Sequence, residues 1–241
     1  MKNTSLKTSA LLLMVLVLSI VSCAKKNGVT PKKKLSYQFK VTGASAALVA
    51  GTQNSTLTTT ATTGANITWQ SGYANVASIS FEGKNQDNKQ SHEDFIESAV
   101  YKLDLFGTTQ LIGKVDLAVG TYRNVDFKIE LKQTASGAAL FLKGVYASAK
   151  GNIPVELSLN EGNDNMEIKA IAKDLTVGAK DSYIAYINLH LDKLIVGVKS
   201  ADLDAATLTG GTIVISSTSN VAIYTKIKAT LGNCSDGDYN N

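Results

Sequence analysis

Three observations predict an all-β fold for this chain, specifically an antiparallel β-sandwich with a C-terminal α-helix packed on it. Apolar and polar residues alternate with period two in segment after segment from Leu35 onward, the mark of strands with one buried face. The connections between those segments are short and most strands keep one polar face, which favours antiparallel pairing. Helical spacing is confined to a single stretch near the C-terminus. About ten strands with no Pro/Gly/Ser linker between them suit one sandwich better than two small domains.

In chain order, Leu35, Tyr37, Phe39 and Val41 alternate with Ser36, Gln38 and Lys40 in a first strand. Gly51 to Gly64, including the threonine-rich segment 52–63, breaks the rhythm and reads as a surface loop or weak edge. Ala77, Ile79 and Phe81 resume it, and then come Tyr101, Leu103 and Leu105, and Val115, Leu117 and Val119. Val125, Phe127, Ile129 and Leu131 alternate with charged or amide residues throughout, a pattern that no helix buries on one side. Further strands are expected at 140–146, 153–159, 166–171, 183–191 and 213–215. Asn220 is placed to cap a helix carrying Val221, Tyr224, Ile227 and Leu231 at helical spacing, with Gly232 as its stop. That helix is expected to lid the core rather than present a partner groove.

Ahead of the sandwich lies a segment of different composition. Lys2 and Lys7 precede an apolar run, Ala10 to Val21, and small Ser22 stands before Cys23. These are the three parts of a secretory signal. As a helix the run would reach only about 18 Å, short of the roughly 30 Å of hydrocarbon that a span must cross. The sequence Ile20-Val21-Ser22-Cys23 resembles the lipobox of Gram-negative lipoproteins, with Ile20 where leucine is commonest. The resemblance implies cleavage before Cys23, diacylation of that cysteine, and a membrane contact through the N-terminal lipid. Ala24 is not the aspartate that retains many enterobacterial lipoproteins at the inner membrane, so the resemblance implies the outer membrane. The expected divisions are therefore a signal peptide over 1–22, a lysine-rich tether over 23–34, the sandwich with its helix over 35–232, and a polar tail over 233–241.

This division changes the meaning of the charge. Seven of the 24 basic residues and none of the 20 acidic ones precede Leu35, so the remainder carries a net −3 rather than the +4 of the whole chain. A nucleic-acid partner would require a basic face on the domain, and none is clustered there. The tether lysines either lie near anionic head groups or keep the tether solvated, the latter being the simpler reading. With Cys23 lipidated, Cys234 has no partner within the chain and is expected to be an exposed, incidental thiol in the tail, an intermolecular disulfide being the alternative.

Leu117-Ala118-Val119-Gly120-Thr121-Tyr122 resembles the Leu-x-x-Gly-x-Tyr entry of prealbumin-like and immunoglobulin-like sandwiches found in uncharacterised Gram-negative bacterial lipoproteins. Glycine permits the corner, and the tyrosine can return its hydroxyl to the backbone while its ring packs inward. The resemblance extends loosely from Trp69 to the terminal helix. It implies a domain of unknown function and carries over no active-site residues.

Candidate sites are few, and each has a structural rival. Asn188, His190 and Asp192 would share one face of a strand, where a histidine and a carboxylate could ligate a metal; the ordinary reading is a solvated face. The loop Asp87 to Asp94 has oxygen donors around His92 and Glu93 without a calcium-loop spacing. Asn160 to Asn165 reads as a hairpin turn. Trp69 and Tyr73 could stack on a sugar, although a core tryptophan is the preferred reading. With two histidines and no nucleophile elbow, zinc pair or phosphate loop, no enzyme, cofactor or metal is expected. The expectation is a cell-envelope lipoprotein acting as a structural or protein-interaction module. A carbohydrate- or divalent-ion-binding lipoprotein is the alternative, and an envelope hydrolase comes third.

Overall fold

Alternation becomes pairing in the computed structural model, which describes residues 31–49, 62–86, 95–108, 110–160, 166–171, 174–178 and 182–240. The strands are β1 (Lys32–Thr42), β2 (Ser45–Val49), β3 (Thr62–Asn85), β4 (Phe95–Asp104), β5 (Gln110–Ala118), β6 (Gly120–Leu131) and β7 (Leu140–Ser148). They continue as β8 (Gly151–Leu159), β9 (Met166–Ile171), β10 (Leu175–Val177), β11 (Ser182–His190), β12 (Leu208–Thr209), β13 (Thr212–Ile215) and β14 (Ser235–Asn240). Three helices join them near the end: α1 (Leu191–Leu194), α2 (Ser200–Asp204) and α3 (Val221–Thr230). Residues Lys32–Asn241 form one compact unit. The proposed signal, Cys23 and the loop from Asp87 to Asp94 lie outside the described residues, as does the threonine-rich segment except for the start of β3.

Two sheets pack together, as the fold class predicts. The small sheet has the order β14-β11-β1-β5; the large one runs β10-β6-β3-β7-β8-β13-β12, with β2 and β4 also on β3 and β9 also on β6. Most pairings are antiparallel, but β1 runs parallel to β11 and β13 parallel to β8, so both sheets are mixed. Those two pairings join segments far apart in sequence, where connection length says nothing about direction. The core lies between the sheets: Tyr37 of β1 meets Phe127 of β6 edge-on at 5.5 Å, and both are fully buried. Phe127 is flanked in register by Phe81 and Ala170 on either side.

Strand β3, 24 residues long, is the spine of the large sheet. It carries one extra residue at Gln70 against β7 and another at Ala77 against β6, while the shift opposite Gly83 comes from an extra residue on β6. Each extra residue disturbs the two-residue side-chain period and turns the next side chains to the other face. At the β5–β6 corner Gly120 has φ 148°, and the buried Tyr122 donates its hydroxyl to the Ala118 carbonyl at 2.9 Å. The corner geometry expected from the sequence is therefore present.

Several expectations need correction. The domain starts at Lys32 rather than Leu35, because Lys33 and Lys34 already pair with Leu117 and Asp116 of β5. Asn220 makes no side-chain cap. It sits at φ 48° and uses its amide to hold Thr207 and Val214, because those nearby backbone groups compete for it with the helix end. Val221 is about half exposed and Ile223 takes the inward place beside Tyr224 and Ile227; the chain then tightens into a 3-10 turn over Leu231–Asn233. Cys234 is fully buried, its thiol donating to the Leu231 carbonyl at 2.9 Å. What reads as a polar tail continues as β14, antiparallel to β11. An edge strand keeps its polar residues at the solvent side, so its sequence carries little apolar rhythm.

Candidate functional site

Among the described residues, two groups of chemistry-bearing side chains stand at the surface. The first is built on the small sheet. Asn188 and His190 alternate with buried Ile187 and Leu189 on β11 and so share the outward face. Neighbouring strands complete the cluster: Thr42 of β1 is in register with His190, and Asp236 of β14 with Asn188. His190 Nδ1 lies 2.8 Å from the Thr42 hydroxyl and Nε2 lies 2.7 Å from Asp236 Oδ2, while Asn188 donates to Asp236 Oδ1 at 2.9 Å. Lys193 stands 3.9 Å from the same carboxylate. Burial alone would raise the Asp236 pKa, but the hydrogen bonds from Asn188 and His190 and the positive charge nearby outweigh it and hold the carboxyl below the usual range. Three strands are thereby tied by one imidazole and one carboxylate.

Asp192 does not join them. After His190 the chain turns into α1, which ends the strand face and takes Asp192 to a position against Gly43, where an added Cβ would collide with its carboxylate. Its Oδ1 is buried without a hydrogen-bond partner among the described residues. Asn188, His190 and Asp192 therefore do not share one strand face. Among the described residues no group of three or more His, Cys, Asp or Glu is arranged to hold a metal.

The second group lies on the outer face of the large sheet. Trp69 and Tyr73, four residues apart, would share a face in a regular strand. The register shift at Gln70 separates them. Trp69 turns into the core, 2% exposed, with its indole N–H unpartnered among the described residues, and Tyr73 turns outward. Tyr73 is the register partner of Phe141 on β7, and the two rings stack with centroids 5.3 Å apart. Lys102 of β4 covers the Tyr73 ring, its ammonium 3.8 Å from the centroid. Lys143 lies 5.5 Å from the Phe141 centroid and pairs with Glu156 of β8 at 2.9 Å. A lysine, two rings and a second lysine thus form a row across three strands.

This row borders an open groove lined by Ser71, Tyr73, Lys102, Asp104, Phe141 and Lys143. The Tyr73 hydroxyl rests against Gly137, where a side chain would strike it. The loop bearing Gly137 is held by the buried Asn75, whose amide donates to the Ala138 carbonyl at 2.7 Å. Asp104 also lines an adjoining groove with Lys40, Thr42, Phe106 and Thr108.

Sequence reasoning anticipated Tyr73, Asn188 and His190 as candidates but missed their partners. One signal for the outer row was available: Phe141 falls between the inward Leu140 and Leu142, so an aromatic ring had to face outward. No local signal pairs Asp236 with His190, because they come together only when β14 docks. No helix among the described residues is long and apolar enough to cross a membrane. No protein-family model, curated protein or solved structure matches this chain.

Proposed function

We propose that the protein is a lipoprotein anchored through a diacylated Cys23 in the outer membrane, and that its two-sheet domain is a structural or interaction module of the cell envelope. The observation that carries this reading is Ile20-Val21-Ser22-Cys23 placed directly behind an apolar run and a positively charged start. The domain begins at Lys32, so the connection is short. The nine steps from Cys23 span at most about 30 Å, which keeps the domain close to the bilayer. Acyl chains contribute roughly 0.8 kcal/mol per buried methylene, and several chains together give stable attachment. The Tyr122 corner supports the likeness to prealbumin-like and immunoglobulin-like sandwiches of bacterial lipoproteins. The clusters on the surface support binding more than turnover: the His190 imidazole and Asp236 carboxylate are engaged in tying strands together, and the Tyr73 row presents rings and opposed charges on an open face.

Metabolic labelling with a fatty-acid analogue in a Gram-negative host tests the anchor. The wild-type chain should label and fractionate with outer membranes, whereas Cys23→Ala should do neither. Equal labelling of the two chains, or a mature N-terminus other than residue 23, would refute it.

A further inference from the structure

We infer that the outer face of the large sheet around Tyr73 and Phe141 is a binding site for a neutral oligosaccharide. The inference rests on the reading of the domain as a binding module and is independent of the lipid anchor.

Both rings lie on the solvent side of the sheet, in contrast to Trp69, Phe81, Tyr122 and Phe127, which fill the core. Aromatic rings offer a large apolar surface with little conformational freedom to lose. A pyranose has one face made mainly of C–H groups and a periphery of hydroxyls, so it requires such a surface and a polar rim together. The rim here is supplied by Ser71, Lys102, Asp104 and Lys143, with Glu156 paired to Lys143.

The balance of that rim selects the ligand. Lys102 and Lys143 are matched by Asp104 and Glu156, so an anionic or a cationic ligand would meet a like charge as readily as an opposite one. A neutral hydroxyl donates to the carboxylates and accepts from the ammonium groups, and uses all four. The ring geometry is also set before any ligand arrives. Phe141 stacks on one side of Tyr73, Gly137 seats its hydroxyl, and Gly72 lets β3 and β7 approach where a Cβ would collide with the Phe141 carbonyl. The pyranose takes the other side of the Tyr73 ring by displacing the Lys102 ammonium, which then serves the polar rim. Preorganised rings reduce the ordering cost of binding. Asp104 is shared with the adjoining groove beside Phe106 and Thr108, so the polar surface continues beyond the two rings. That continuation suits linked sugars rather than a single one.

The test uses the full chain in detergent on an array of neutral hexose and pentose oligosaccharides together with uronic-acid and sulfated counterparts. At least one neutral oligosaccharide should be retained in preference to its acidic counterpart. Tyr73→Ala and Phe141→Ser should each weaken that binding at least tenfold with the urea midpoint still showing a folded chain, and Lys114→Ala on β5 should not. If Tyr73→Ala fails to fold, Phe141→Ser and Lys102→Met decide in its place. Retention of no neutral sugar, preference for the acidic ones, or unchanged binding in the ring variants overturns the inference. Binding should survive Cys23→Ala. Loss of labelling with binding intact therefore counts against the anchor alone, and loss of binding with labelling intact counts against this site alone.

Discussion

Truncating Phe127 to alanine tests how the sheets are packed, because this ring sits where both meet. It is fully buried, 5.5 Å from Tyr37 of the opposite sheet and 5.6 Å from Phe81 on the neighbouring strand. Its other register neighbour, Ala170, is too small to fill the space it would leave. Removal of a buried phenylalanine side chain costs about 3–5 kcal/mol. Loss of two aromatic pairs, each contributing roughly 0.5–1.5 kcal/mol beyond area, places the expectation at about 4 kcal/mol, toward the upper half of that range. With a urea slope of about 3 kcal/mol/M, the midpoint should fall by about 1.3 M. The chain has one tryptophan, and Trp69 is 2% exposed, so its fluorescence reports the transition directly. Lys128→Ala is the control. The adjacent Lys128 side chain faces outward and is 3.9 Å from Glu82, with both groups a third or more exposed to solvent. Such a pair is worth about 0–1 kcal/mol. Equal midpoints for the two variants at unchanged slope would refute the assigned register and the inter-sheet contact.

The last strand supplies two further expected outcomes. Burial pushes the Cys234 thiol up to about 12, with its own backbone hydrogen bond and Lys193 only partly offsetting the effect, so the thiolate that reacts with disulfide reagents is scarce at neutral pH. In the Cys23→Ala chain, Cys234 should stay unmodified by an aromatic disulfide reagent until denaturant unfolds the protein; prompt stoichiometric reaction would contradict its burial. The Asp236 carboxyl is held below its ordinary range in the folded chain, so its contribution is present above the unfolded value of about 4 and is lost as pH falls through the lowered one. The stability difference between wild type and Asp236→Asn should therefore shrink as pH is lowered from about 4 to about 2 in chemical denaturation. A difference that grew over that interval would show the sign to be wrong.

Much of the fold was legible because burial on one face of a strand writes itself directly into period two. β6 and β9 lie where alternation places them, and the Leu117–Tyr122 corner makes the hydrogen bond its residues suggest. The candidate sites were less legible. Tyr73 was singled out with Trp69, but one extra residue at Gln70 put them on opposite faces; a bulge leaves no compositional mark. His190 was singled out with Asp192, whereas its partners proved to be Thr42 and Asp236, 148 and 46 residues away.

The sequence by itself determined that the chain is built from strands, which residues of most strands face inward, and that Cys23 stands behind an apolar run of signal type. All of these are written in neighbouring residues, over distances at which the chain's own geometry sets which side chains share a face. Only the tertiary structure decided that β1 pairs in parallel with β11, that β14 closes the small sheet and buries Cys234, and that Phe141, Lys102 and Lys143 gather around Tyr73. Those arrangements depend on which strands become neighbours. Many pairings satisfy the same alternation equally well, and the choice among them is made by the packing of the whole core and by single-residue shifts in register.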